Sequence, residues 1–356
     1  MKTFKHFFED KQSIINTISG LDADNAEHAK ILDRIYRLLN QDSILSNLDK
    51  AFAVGVSDEA LPDKTKQSII KDMTEIIGNL DSDSNTMNAF ISRFEKSGSV
   101  VDINELSKPI NSFQKVFGDD ITINAFLSLA RYGVGQKQKG PGEFGLACLS
   151  NKIKLAEGEG DLEVEGIGKV ELKAALSSAG GRIGYGGGSQ KAKRAVIDKY
   201  ANNIPTVVKS IGGTGGSLGI SKFIQALNMD LPVADINNQK VRAAIANELL
   251  TMDLENFAPP VVNAIAKSED LNSIEDIYLA QNFLWYKNRD DFDALLLMSM
   301  PNKKTAMIRN EKELVAWRRS GHANATSISI IPTQAGSGRE QWAQLTLNNG
   351  TVYVNG

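Results

Sequence analysis

The sequence contains very little cysteine or histidine. Of its 356 residues one is a cysteine, Cys148, and the three histidines, His6, His28 and His322, lie far apart. A single cysteine cannot form a disulfide within the chain, which favours a reducing compartment. The histidines and the cysteine also lack the spacing that is typical of a zinc cluster.

Long apolar runs and a dominant charge sign are missing as well. No apolar stretch reaches the length of a membrane-spanning helix, and the opening residues MKTFKHFFEDKQ are too polar for a signal peptide. The formal net charge is −3, so any contact with nucleic acid requires a local basic patch. These absences predict a soluble, intracellular protein of the cytoplasm that has no membrane partner.

The apolar pattern of residues 1–98 predicts a separate helical domain. Apolar side chains recur there at helical spacing over 31–39, 69–80 and 87–94. Residues 97–110 are loosely patterned and contain Pro109, which is typical of a linker. The length of the chain favours a second domain after this linker.

The remaining residues, 110–356, predict an α/β domain with a mostly helical insertion at about 190–289. Two short strands are expected over 161–165 and 169–175, and the apolar run ALLLMSM over 294–300 predicts a buried strand. Helices are predicted over 121–132, 143–149 and 311–319. Further strands are predicted over 305–308, 327–331, 342–347 and 351–354, with a turn at Asn349-Gly350 before the last.

The predicted hairpin GDLEVEGIGKVELKAA gathers charged side chains on one face. Side chains alternate across a strand with period two, so each strand has one apolar and one charged face. We expect the turn at 166–168, with Glu165 opposite Lys169. This pairing keeps the two apolar faces together, because Val164 then meets Val170. The same register places Glu163 opposite Glu171 and Asp161 opposite Lys173.

The charged face predicts a site for a divalent cation. Asp161 and Glu171 become diagonal neighbours, about 7–8 Å apart, and two such carboxylates can share one oxygen-seeking ion. Mg²⁺ is expected, with Mn²⁺ as the alternative, because the ligands are hard oxygens. Such an ion can activate a water and steady the charge on a phosphate. Lys173 is placed to orient or deprotonate the water, or to neutralise the transition state.

Two alternatives stand beside this interpretation. Glu163 is the rival of Asp161 as a ligand. The hairpin can also be purely structural, with its charged face in solvent. The expected opposition of Glu163 and Glu171 favours the cation, since two carboxylates repel each other on a bare surface.

These residues resemble the signature of the PD-(D/E)XK, or restriction-endonuclease-like, nuclease superfamily. The matching residues are Gly160-Asp161 and Glu171-Leu172-Lys173, and Glu143 in GPGEFGLACL corresponds to a glutamate that an upstream helix often supplies. Gly160 departs from the usual proline. The segments GEFGLACL, GDLEVEG, VELKAA and GGRIGYG also resemble nucleases of tailed bacteriophages, including head-completion type proteins. The resemblance covers about residues 140–190, extends loosely to 356 and says nothing about 1–98.

The resemblance implies a fold, an activity and partners. The fold would be a restriction-endonuclease-like mixed sheet flanked by helices. The activity would be metal-dependent hydrolysis of DNA phosphodiester bonds, by an endo- or exonuclease. Glu143, Asp161 and Glu171 would be the metal-side carboxylates and Lys173 the catalytic lysine. A phage-encoded protein would act in the host cytoplasm or in the virion, and the helical N-terminal domain would contact phage head or neck proteins.

The same resemblance leaves other functions open. The chain can be a phage virion or head-assembly protein that uses this fold to bind DNA or protein. It can also be an inactive DNA-binding remnant, but the intact acidic pair and lysine argue against this.

A basic stretch follows the hairpin and predicts contact with nucleic acid. Residues 176–215 carry six positive charges and one negative charge. A helix that begins near Ser189 would present its amino end, together with the preceding glycines, to a phosphate. The predicted contact residues are Arg182, Lys191, Lys193 and Arg194. The alternative is an ordinary solvated helix face. A P-loop is disfavoured, because neither GGTGGSLG nor GYGGGSQK ends in G-K-[ST].

Overall fold

The computed structural model describes residues 24–37, 84–130, 142–156, 160–175, 180–183, 190–213, 216–320, 323–325, 329–332 and 343–347. The predicted apolar stripe 69–80, the turn Asn349-Gly350 and the strand 351–354 lie outside these ranges. In the described part of the chain, no helix is long and apolar enough to cross a membrane.

The described residues form thirteen α-helices and eleven strands. In chain order the helices are α1 (Ala26–Arg37), α2 (Ser84–Ser97), α3 (Ile103–Leu106), α4 (Phe113–Phe117), α5 (Asp120–Leu129), α6 (Glu143–Leu149), α7 (Gln190–Lys199), α8 (Pro205–Ile211), α9 (Ile220–Asp230), α10 (Ile236–Leu254), α11 (Pro259–Lys267), α12 (Leu271–Asp290) and α13 (Glu311–Arg319). A 3-10 helix, Glu255–Phe257, follows α10. The strands are β1 (Asn111–Ser112), β2 (Ile153–Leu155), β3 (Leu162–Val164), β4 (Gly168–Ala175), β5 (Gly180–Ile183), β6 (Leu218–Gly219), β7 (Ala294–Ser299), β8 (Lys304–Ile308), β9 (Ala323–Ala325), β10 (Ser329–Ile331) and β11 (Ala343–Leu347).

The chain forms two compact units whose boundaries differ from the predicted ones. Unit one comprises residues 1–178 and 291–307, and unit two comprises 179–290 and 308–356. The described helices of residues 1–98 do not form a core of their own. Ile31 of α1 and Phe90 of α2 belong to the same hydrophobic core as Leu172 of β4.

Unit one is built on a six-stranded mixed sheet in the order β1-β8-β7-β4-β3-β2. Strand β4 pairs in parallel with β7 and antiparallel with β3. Helices α2, α4, α5 and α6 flank the sheet and bury aromatic side chains in its core, among them Phe90, Phe113, Phe126 and Phe144. This confirms the predicted mixed α/β class with a mixed sheet flanked by helices.

Strand β7 and helix α6 lie where the sequence predicts them. All six residues of β7, Ala294–Ser299, are buried, as expected for a strand covered on both faces. Helix α6 spans the predicted residues 143–149, and all of its side chains are buried. The two elements therefore belong to the interior of unit one.

Unit two is mostly helical. Helices α7 to α12 fall within the predicted insertion at about 190–289, and α13 spans the predicted residues 311–319. A three-stranded antiparallel sheet has the order β5-β11-β9, and β6 pairs antiparallel with β10. Strands β10 and β11 lie within predicted strands, whereas β5 and β9 were not predicted.

Candidate active site

The β3–β4 hairpin has a register two residues away from the predicted one. Leu162 pairs with Val170, and Glu163 pairs with Lys169. The predicted opposition of Glu163 to Glu171 is therefore wrong, and the repulsion expected from it does not arise. Glu163 is exposed, whereas Asp161 is half-buried.

The turn explains the shift. The amide of Ile167 donates to the carbonyl of Val164 over 3.0 Å, and Gly166 between them has a φ of +78°, a conformation that glycine adopts readily. The turn occupies residues 165–167, one residue earlier than the predicted 166–168, so Gly168 enters the strand opposite Val164.

A glycine at position 168 also makes room for a distant carboxylate. The Asp293 carboxylate accepts a hydrogen bond from the amide of Lys169 over 2.9 Å, and a Cβ on Gly168 would collide with it. The Lys169 ammonium pairs with Asp291 at 2.5 Å. The sequence signal was a glycine within a strand, which commonly marks close approach of another group.

A shift of two residues preserves the alternation of faces, so Asp161 still reaches the strand that carries Glu171. The Asp161 amide donates to the carbonyl of Val170 over 3.1 Å. Its carboxylate accepts a hydrogen bond from the amide of Leu172 over 2.8 Å. Asp161 is thus fixed beside β4 at both its backbone and its side chain.

Glu171 and Lys173 form a direct ion pair on β4. The Lys173 ammonium donates to the Glu171 carboxylate over 2.5 Å. The Glu171 side chain is 8% exposed and the Lys173 side chain 32% exposed. The pair therefore lies at the edge of the interior, with the lysine reaching toward solvent.

Glu143 enters the site from helix α6. It is the first residue of that helix and is 4% exposed. Gly142 precedes it with a φ of +100°, and a Cβ there would lie 3.2 Å from the Ala174 Cβ and 3.3 Å from a Leu172 methyl carbon. The glycine therefore permits close approach of the helix start to the strand that carries Glu171 and Lys173. The sequence signal for this contact is the glycine immediately before the glutamate.

The charges of the four predicted site residues interact. Burial by itself lowers the pKa of the Lys173 ammonium, whereas the charge and the hydrogen bond of Glu171 raise it. The charges of Asp161 and Glu143 raise this pKa further, and the net shift is upward. Lys173 therefore stays protonated at neutral pH, which suits stabilisation of negative charge better than removal of a proton from water.

The donor chemistry of the site fits Mg²⁺, although a complete set of ligands is not assembled. Asp161, Glu171 and Glu143 offer the hard oxygens that Mg²⁺ prefers. Among the described residues, no group of three or more His, Cys, Asp or Glu side chains is arranged to hold a metal ion. Mg²⁺ commonly uses one or two protein carboxylates and completes its shell with water and phosphate. Asp161 and Glu171 would be those carboxylates.

The four predicted nucleic-acid contacts in unit two have different environments. Lys193 is completely buried and pairs with Asp253, so the prediction of a phosphate contact for it is wrong. It lies on the buried face of α7 with Val196 and Ile197, three and four residues further on. The pattern of α7 alone did not reveal this, because the partner carboxylate is 60 residues away.

The other three basic residues stay candidates. Lys191 is exposed on α7. Arg194 is half-buried and donates to the carbonyls of Gly213 and Gly216 over 2.6 and 3.1 Å. Arg182 lies in β5, where it pairs with Gln344.

Comparison of the chain with models of protein families, with curated proteins and with solved structures found no match.

Proposed function

We propose that this protein is a metal-dependent nuclease that hydrolyses DNA phosphodiester bonds on a restriction-endonuclease-like fold. One observation supports the proposal above the others. The Lys173 ammonium interacts with the carboxylates of Glu171, Asp161 and Glu143 on one hairpin and one helix start of a mixed sheet. Each of these residues also matches the sequence signature of the nuclease superfamily.

In the proposed reaction, a water oxygen attacks the phosphorus, the bond to the leaving sugar oxygen breaks, the water releases a proton to solvent, and the leaving oxygen takes one up. Asp161 and Glu171 would hold Mg²⁺ or Mn²⁺, which when bound supplies Lewis acidity and an acidic water. The protonated Lys173 stabilises the negative charge that develops on the phosphate oxygens. Glu143 adds negative charge beside this ammonium and helps to keep it protonated.

The resemblance to phage proteins extends the proposal to location and partners. The enzyme would be phage-encoded and act on DNA in the host cytoplasm or in the virion. Residues 1–98 would contact head or neck proteins. Lys191 and Arg194 of α7 are the described side chains that we propose for DNA contact.

A second candidate function is a virion or head-assembly protein that binds DNA or protein without cleaving it. The absence of a three-ligand group among the described residues favours this candidate. In it, the buried charges would serve the stability of the hairpin.

The two functions are separated by incubating purified protein with plasmid and linear DNA, in Mg²⁺, in Mn²⁺ and in chelator. The nuclease proposal expects cleavage with either metal and none with chelator. Lys173→Ala should reduce the rate by about 10²–10³-fold, while DNA binding in Ca²⁺ is retained. Lys154→Ala, an exposed lysine of β2 in the same sheet, is the matched control. Wild-type protein that binds DNA but never cleaves it would favour the assembly role.

A further inference from the structure

Unit two contains four buried polar residues that the proposed nuclease does not use, and they are called the polar cluster below. Its members are Lys193 of α7, Asp253 of α10, and Tyr278 and Asn282 of α12, each at most 1% exposed. Lys193 and Asp253 form an ion pair. Lys193 and Asp253 carry opposite charges, so the polar cluster has no net charge.

Tyr278 and Asn282 are the unusual members. They lie one helical turn apart on the same face of α12. Among the described residues, nothing hydrogen-bonds to the Tyr278 hydroxyl or to either polar atom of the Asn282 amide. Burial raises the pKa of the Tyr278 hydroxyl, and the charge of Asp253 raises it further.

Arg242 is a buried cation of unit two whose side chain has hydrogen-bond partners. Arg242 is completely buried, and its guanidinium donates to the carbonyls of Leu231 and Ile265 over 2.7–3.2 Å. Native proteins pair nearly all of their buried polar groups with protein atoms or with ordered water. Tyr278 and Asn282 therefore require a partner of some kind.

We propose that this cluster is a binding site for ordered water, in which at least one water molecule bridges Tyr278 and Asn282 beside the Lys193–Asp253 pair. Water can accept from the Asn282 amide nitrogen, donate to its carbonyl oxygen and bond to the Tyr278 hydroxyl. Buried waters typically make about three such bonds. An ion is a poorer occupant, because Lys193 and Asp253 already neutralise each other and a further charge would be buried without compensation.

The direct test is a crystal structure of the full chain at high resolution. We expect a well-ordered water within about 3.2 Å of both Asn282 and the Tyr278 hydroxyl. Side chains of the protein that fill this space and bond to both residues would overturn the proposal, and so would an enclosed space without density.

The melting temperatures of two variants provide a second test of the same site. Asn282→Leu and Tyr278→Phe should each lower the melting temperature by a few degrees, because the water loses a partner. If the groups are instead dry and unpaired, removing them should raise it, since an apolar replacement relieves the cost of burial. Tyr278→Phe removes only the hydroxyl group, so its melting temperature still tests the proposal if Asn282→Leu does not fold.

Thr305→Val is the matched control. Thr305 is completely buried in β8, belongs to unit one, and has a hydroxyl to which nothing described bonds. Valine has nearly the same shape, so this variant shows separately whether a second buried hydroxyl has a partner: its melting temperature falls if it has one and rises if it has none. A melting temperature of Tyr278→Phe that is unchanged or raised refutes water at the cluster, whatever the result for Thr305→Val.

Discussion

The amide nitrogen of Leu172 donates a hydrogen bond to the Asp161 carboxylate over 2.8 Å. Leu172 lies between Glu171 and Lys173, so this bond fixes one acidic residue against the strand that carries the other two proposed site residues. The bond uses one carboxylate oxygen of Asp161, and an asparagine in its place would retain an acceptor for the Leu172 amide.

Asp161→Asn should remove the charge of this residue but keep the hydrogen bond that it accepts from the Leu172 amide. We expect Mg²⁺-dependent cleavage to fall by about 10²-fold or more, because the cation loses a charged ligand. The free energy of unfolding should change by less than about 1 kcal/mol, since the bond to Leu172 survives. Plasmid cleavage and urea unfolding measure the two effects. Glu163→Gln, at an exposed carboxylate of the same hairpin, is the control and should change neither.

Gly142→Ala should disturb the placement of Glu143. The new Cβ would press on Ala174 and Leu172 at 3.2 and 3.3 Å, and a displacement of the helix start by about 1 Å can cost roughly 10²-fold in rate. Gly166→Ala is the control, because it carries a similar positive φ but has nothing within 4 Å of its Cβ. Both variants should lose about 1–3 kcal/mol of stability to backbone strain. Equal cleavage rates would exclude a role for Gly142 in positioning.

Lys193→Ala should destabilise the protein by about 3–5 kcal/mol, because it leaves the Asp253 carboxylate buried without its cation. Lys191→Ala, two residues away on the exposed face of the same helix, should change stability by less than about 0.5 kcal/mol. Urea titration of both variants measures the difference. Similar midpoints would show that the buried pair contributes little.

Lys191→Glu tests the remaining basic surface of α7. If Lys191 contacts a phosphate, DNA affinity should fall, and the slope of log affinity against log salt should decrease by about 1, since one fewer counterion is released. Lys222→Glu, at an exposed lysine of α9, is the control for the change of charge alone. A salt series that is identical for wild type and Lys191→Glu would show that α7 does not contact DNA.

Period-two alternation along the hairpin was sufficient to predict which residues share a face, but not their register. The β3–β4 pairing differs from the predicted one by two residues, and a shift of two leaves every paired side chain on its predicted face. The exact pairing depends on the turn geometry at Gly166 and on the approach of Asp293, which is 124 residues from Lys169. Neither contribution can be predicted from the alternation of residues within the hairpin.

The error at Lys193 has a similar origin. A lysine within QKAKRAVIDK reads as part of a basic helix face, since buried lysines are rare. Its burial depends on Asp253, which lies on a different helix and compensates the charge. Long-range pairs of this kind can be identified only from the packing of the helices in unit two.

The pairing of β4 with β7 also constrains how the protein is made. The amide of Lys169 bonds to Asp293, 124 residues later, and all of the described helices from α7 to α12 are translated between them. At about 5–20 residues per second, the hairpin waits roughly 6–25 s on the ribosome before its parallel partner is synthesised. During that interval strand β4 presents an open edge, which is a template for aggregation. A premature stop codon between positions 178 and 291 would make that edge permanent, so truncated products should collect in inclusion bodies rather than fold as a smaller version of unit one.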